Sequence, residues 1–350
     1  MSTAMMMLHD LEPNAATPAT WPLPAAARPP GAPNDITSAL VCSLASTDAS
    51  VQVSEVMCRV GVDDRGGTHV GENAHEGVVT TAHHIVLPRD GALACSVQRE
   101  VGGRVVVDSA MGLVLAPGQR VRIRNATPGD HAATVITVTP ELLECADDHA
   151  MDTCHAPVGA IVLSPAAMLD AQRVRCLARV IREVQPWPPD AAAATLASAT
   201  VALLRHFQPS HDRRVSATMV AARRSMSRSA RAADAVRAML AAEPGAQHTL
   251  ESISASVGIS PFHLARVFHA RTGFSIHQYL LHIRMARALL ALGDGESSLS
   301  RLALTLGFCS HSHFATTFRR HFGLSPRDVR AMLRARPTES RSLDRCACAD

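Results

Sequence analysis

Thiols, imidazoles and carboxylates crowd one polar stretch of this 350-residue chain, where Cys145, His149, Cys154 and His155 stand among Asp147, Asp148 and Asp152. Thiolate and imidazole are zinc ligands, but these spacings match no structural zinc pattern. His69, His75, Glu76, His83, His84 and His131 form a second set, from which a facial metal site would need two imidazoles and a carboxylate, or three imidazoles. Adjacent His83 and His84 would point to opposite faces of a strand, which works against convergence. Neither set predicts a bound metal or any other cofactor, and a metal- or redox-responsive sensor built on these residues is the alternative functional reading. The third chemical group is guanidinium: Arg120, Arg122 and Arg124 alternate along an extended run, where they could hold an anion or lie solvated on an edge.

A stronger signal is duplicated. His263-Leu264-Ala265-Arg266-Val267-Phe268 returns as His313-Phe314-Ala315-Thr316-Thr317-Phe318, each copy preceded by a glycine and a serine and followed by Gly-x-Ser. In the first copy Leu250, Ile253 and Val257 share a helical face, and Gly258 supplies the left-handed residue that ends a helix. Ser260 then caps the next helix, with Pro261 at its first position. Leu264, Val267 and Phe268 face inward and leave Phe262, His263, Ala265, Arg266 and His269 outward or at the margin. The second copy has Leu299, Leu302, Ala303 and Leu306, then Gly307, then Ser310 before a helix buried through Phe314 and Phe318. Its outward set is His311, Ser312, Ala315, Thr316 and Arg319. Between the copies, Ile276 to Leu292 has helical spacing and would span about 25 Å. Two helices held about one duplex turn apart, roughly 34 Å, could enter successive major grooves.

From Ala232 to Arg334 these residues resemble the DNA-binding domain of the AraC/XylS family of transcriptional regulators. The likeness includes Gly323-Leu324-Ser325-Pro326, the run Phe318-Arg319-Arg320-His321-Phe322 and the segment Arg284 to Leu290. Ser254 stands where the family usually places alanine, and serine is nearly as small. The resemblance implies that Phe262, His263, Ala265, Arg266, His311, Ser312, Ala315 and Thr316 face DNA, with Arg319 and Arg320 on phosphates. Arg266 is the expected base reader, because a guanidinium can bond guanine O6 and N7 together. Thr316 occupies the equivalent place in the second copy, which is expected to contribute position and shape more than strict sequence. The family likeness implies double-stranded DNA as partner and no enzymatic step. It also makes RNA polymerase and a small-molecule effector candidate partners and a homodimer the expected assembly.

All 34 basic residues are arginine, and their placement is uneven: 21 Arg against 10 Asp or Glu from Arg205 onward, but 13 against 21 before it. The basic half fits phosphate binding, and the acidic half should avoid DNA. No run reaches the 18 or so apolar residues of a membrane span, and the Met-rich start lacks the basic lead of a signal peptide. Nine scattered cysteines suit a reducing compartment, so a cytoplasmic location is expected.

The expected fold class is α+β and multidomain. Residues 1–49 are read as mostly disordered, apart from a short helix from Ile36 to Leu44. Residues 50–140 carry short β-branched runs punctuated by turn signals, including Arg120 to Asn125, which argue for an antiparallel barrel or double-sheet roll. Ahead of this C-terminal domain, such a segment looks like the cupin-like β-barrel effector domain of AraC-type regulators, although which residues would hold an effector is unknown. Residues 141–208 read as a helical extension, clearest over Pro165 to Glu183 and Asp190 to Phe207, which in the family makes the dimer contact. An arginine-rich linker (209–231), the DNA-binding domain (232–335) and a flexible tail (336–350) complete the order.

Overall fold

The computed structural model describes residues 42–45, 50–58, 78–98, 103–129, 131–146, 159–183, 189–207 and 228–334. His69, His75, Glu76, His149, Cys154, His155, the segment before residue 42, residues 209–227 of the linker and the tail lie outside these residues.

The strands are β1 (Cys42–Ala45), β2 (Val51–Cys58), β3 (Val78–Val79), β4 (His83–Pro88), β5 (Ala92–Gln98), β6 (Gly103–Asp108), β7 (Met111–Leu115), β8 (Arg120–Asn125), β9 (His131–Val138) and β10 (Gly159–Val162). They make two antiparallel sheets, ordered β1-β2-β9-β4-β7-β10 and β3-β8-β5-β6. Among the described residues β1 and β10 end one sheet and β3 and β6 the other, so no closed barrel forms. The expected cupin-like β-barrel is therefore corrected to a stack of two sheets, because closure requires the terminal strands of a sheet to pair.

Alternation along the strands places the two cores. Register aligns Val53, Ile136, Ile85 and Val114 across four strands, and this row joins the core shared with the helices. One residue along, Val135, Val86, Leu113 and Ala160 align and pack with Leu93, Cys95, Val105, Val107 and Val121 of the smaller sheet. The six-stranded sheet is thus a middle layer buried on both faces, which explains why β4 is buried without alternation after His83.

Two local expectations fail. Cys42–Ala45 is extended rather than helical, because β2 offers it backbone partners, with an irregularity between Ser43 and Ala45. Gly159–Val162, read as part of a helical extension, is a strand on the edge of β7.

The helices are α1 (Pro140–Ala146), α2 (Pro165–Glu183), α3 (Pro189–Leu204, continued by a 3-10 turn Arg205–Phe207), α4 (Arg228–Ala242), α5 (Leu250–Val257), α6 (Pro261–Thr272), α7 (Ile276–Gly293), α8 (Leu299–Thr305), α9 (His311–Phe322) and α10 (Pro326–Arg334). One apolar core runs from the six-stranded sheet through α2 and α3 into α4 to α10. The central helix α7 is buried on several sides, from Tyr279 and Leu280 through Leu290 and Leu292, as expected of a helix that serves as a spine. Its end lies so close to α2 that a Cβ on Gly293 would stand 1.8 Å from Gln172 Nε2, so a larger residue there would have to displace the Gln172 side chain. Arg179 and Arg89 hold the next residue, Asp294, at 3.4 and 2.5 Å. No helix of the described residues is long and apolar enough to cross a membrane.

Candidate nucleic-acid interface

The two expected recognition helices are α6 and α9, and each starts on a serine cap. Ser260 Oγ accepts from the His263 amide at 3.4 Å, and Ser310 Oγ accepts from the His313 amide at 3.1 Å. Gly258 ends α5 in the left-handed region (φ 66), which lets the chain turn into the Ser260 cap within two residues. Thr249 and Ser252 make a reciprocal capping box at the start of α5, as Ser275 and Gln278 do at the start of α7.

Inward and outward residues separate as the spacing demands. Leu264 and Phe268 of α6, and Phe314, Phe318 and Phe322 of α9, are buried. Phe262 is 80% exposed, an unusual position for phenylalanine in water. Ala265, Arg266 and His269 are exposed and His263 is half-buried; on α9, His311, Ser312, Thr316, Arg319 and Arg320 are exposed and Ala315 is half-buried. The ten residues singled out from sequence therefore form two sets on two helices, joined by a spine of 18 residues and about 27 Å.

A feature missed from sequence sits beneath α6. Arg237 of α4 is fully buried and bonds Tyr279 Oη from Nε at 3.1 Å, while its Nη2 reaches the Val106 carbonyl and stands 3.4 Å from Asp108 Oδ2. Tyr279 Oη donates to Asp108 at 2.7 Å. Asp234, 3.5 Å from Arg237, receives two bonds from Arg271 in the last turn of α6, at 3.0 and 3.2 Å. One continuous chain of charge therefore runs from β6 through α4 to α6. Burial opposes the charge on Arg237, but Tyr279, Asp108 and Asp234 more than reverse this and raise its pKa; burial raises that of Tyr279, against the pull of Arg237. Both side chains stay protonated, as donors to Asp108 must be. The sequence signal was the stripe Ala233, Val236, Arg237, Leu240, in which an arginine occupies a core position.

Beneath α9 the support is aromatic. Phe308, Phe314, Phe318 and Phe322 follow one another at ring separations of 5.4, 5.7 and 4.6 Å. His321 stands 5.1 Å from the ring of His282, whose Nε2–H donates to the Leu163 carbonyl at 2.7 Å. Burial, then the neighbouring His282, lowers the pKa of His321 to about 4, and burial lowers that of His282.

The metal candidates do not converge where they are described. His84 is buried, with Nδ1 3.0 Å from Thr137 Oγ1, and burial followed by His83 lowers its pKa to about 4. His131 packs on Thr127 and stands 3.7 Å from Asp90. No group of three possible metal ligands occurs among the described residues. Cys309, at the second cap, is exposed with Sγ 3.3 Å from His313 Nδ1.

Paired helices, each second member serine-capped and outward-facing, define a tandem helix-turn-helix domain. Residues 253–332 match the family model described as a helix-turn-helix domain. Over 80 residues the chain is 35% identical to the HTH-type transcriptional activator RhaS of Escherichia fergusonii, covering 23% of this chain and 29% of that protein. It is 31% identical over 88 residues to the HTH-type transcriptional regulator MtrA of Neisseria gonorrhoeae, covering 25% and 29%. The chain thus spans 29% of the length of these relatives. Among solved structures, an AraC-type DNA-binding-domain regulator from Chromobacterium violaceum aligns with a TM-score of 0.28 and 31% identity, over 29% of this chain and 91% of that one. Fatty-acid-bound ToxT from Vibrio cholerae aligns with a TM-score of 0.31 and 12% identity, over 84% and 100%. Residues 253–332 of this chain are a helix-turn-helix domain.

Proposed function

We propose that the protein is a sequence-specific DNA-binding transcriptional regulator of the AraC/XylS type that performs no covalent chemistry. The observation that carries this reading is the pair of capped helices, α6 and α9, with exposed outward residues on one buried spine. In it, Phe262, His263, Ala265 and Arg266 enter one major groove and His311, Ser312, Ala315 and Thr316 the next, with Arg319 and Arg320 on phosphates. The relatives named as activators favour activation, with RNA polymerase as the partner that activation needs. The helices α2 and α3 would pair two copies: α3 is uncharged along its length after Asp190 and leaves Ala191, Ala194 and Ser198 exposed. Effector control from the N-terminal half would act through Asp108 and Arg237, since β6 is wired to α6 by the buried charges. A cytoplasmic location belongs to the same reading.

Selection of bound duplexes from a random pool tests it. Arg266→Ala should relax preference at one or two base pairs, at a cost of about 1 to 3 kcal/mol in discrimination. Arg320→Ala should instead weaken all sequences alike and flatten the salt dependence by about one unit. Uniform loss in both variants would sink the assignment of α6 as the base reader.

A further inference from the structure

The outer face of the four-stranded sheet carries guanidiniums that take no part in the charge chain beneath α6 or in the helical core. Leu93, Cys95, Val105, Val107 and Val121 turn inward to the inter-sheet core, so the residues alternating with them lie outside. Arg120, Arg122 and Arg124 take these outer positions on β8, opposite Gln98, Ser96 and Ala94 of β5. Register sets the Arg104 position of β6 opposite Ser96, in the same row as Arg122. Arginine positions on two strands thus flank a central strand that has no charge at these places. They extend about 13 Å along β8 and about 10 Å across the strands. Arg122 already has a partner within the protein. Arg120 is exposed and Arg124 is half-buried at the rim.

Location makes this face more than a solvated one. The next outer row, Ala94 and Val106, and then Ala92 and Asp108, form the seat of α4. Arg237 of α4 holds that seat, and α4 also packs against α6. The arginine face therefore begins beside the helix that carries the first reader, about one helix diameter, 10 to 12 Å, from it. A flat array without converging donors suits an extended polyanion better than a small anion.

We infer that this face is a second duplex-binding surface, lying along the phosphate backbone beyond the groove entered by α6 and adding affinity without base preference. It rests on the reading of α6 and α9 as DNA readers. The N-terminal half, acidic as a whole, would then touch DNA through one basic sheet face.

The test uses the full chain and a duplex recovered by random-pool selection, with affinity measured across salt. In Arg120→Gln/Arg124→Gln the slope of log affinity against log salt should fall by about 2, near 0.9 for each phosphate that is no longer neutralised. The wild type should accordingly lose about tenfold more affinity than the variant between 50 and 200 mM salt. Base preference should not change. Trimming the duplex on the α6 side to the selected core should remove the difference between the two proteins. If the double variant fails to fold, Arg120→Gln alone, at an exposed position, should lower the slope by about 0.9. An unchanged slope overturns the inference, as does a slope change that ignores duplex length and is matched by competing inorganic phosphate. If the wild type selects no sequence at all, it is the helix-turn-helix reading that fails instead.

Discussion

Arg271 closes α6 on the Asp234 carboxylate, whereas His321 near the end of α9 rests against the ring of His282. The two helices share a cap, a length of 12 residues and an inward pair of large apolar side chains, yet they are supported by different physics. The first is held by buried charge whose far end, Asp108, belongs to the sheet half of the molecule. The second is held by stacked phenylalanines, with two neutral imidazoles where α9 meets the spine. Duplication preserved what a recognition helix needs locally and left its support free to diverge. The N-terminal half thus meets α6 through buried charge and α9 through His282 on the Leu163 carbonyl and the packing of α9 on α2.

Arg237→Ala should break this comparison most severely. It leaves the buried Asp108 without its cationic partner while Asp234 keeps Arg271, and removing one partner of a buried pair costs about 3 to 5 kcal/mol. Denaturant unfolding should show that loss, and amide exchange should rise more in α6 than in α9; equal rises would refute the asymmetry.

Acid should reverse the order. The pKa values of His321 and His84 are depressed to about 4, so both imidazoles are neutral in the fold at pH values where the unfolded chain binds a proton. Their contribution is complete above about pH 6.5 and declines as pH falls toward 4. For the more buried His84 it is on the order of 3 kcal/mol, at about 1.4 kcal/mol per unit; for His321, which is more open to water, it is smaller. Melting temperature should drop through this window and α9 should lose exchange protection before α6. A melting temperature flat from pH 7 to 4.5 would contradict the burial of these rings.

The smallest effect addresses what the copies share. Ser260→Ala and Ser310→Ala should each cost about 1 kcal/mol of stability, with little difference between them. A gap of more than about 1 kcal/mol, on the scale of a whole cap, would mean that the two serines do not play the same part.

The helical half was legible because its information is local. Ser260, Pro261, Gly258 and the spacing of Leu264 and Phe268 act within a turn or two, and α6 falls where these residues put it, as α2, α7 and α9 do by their own local patterns. The sheet half was legible as strands but not as an architecture. The run Arg120 to Asn125 is β8 as its alternation demands, yet nothing in it says which strand it pairs with or that the sheets stay unclosed. Cys42–Ala45 and Gly159–Val162 became strands because a free edge lay beside them. The polar core went unread for the same reason: Asp108 and Arg237 are 129 residues apart, and neither announces the other.

By itself the sequence determined the pair of serine-capped helices, their caps and the residues they turn outward, because helix boundaries and amphipathic faces depend on neighbours within about four positions. Only the tertiary structure decided that two sheets stack without closing, that Arg237 is buried against Asp108 and Tyr279, and that an arginine face adjoins the first reader. Strand partners and buried ion pairs join residues remote in the chain, and their energies depend on which surfaces lose water together.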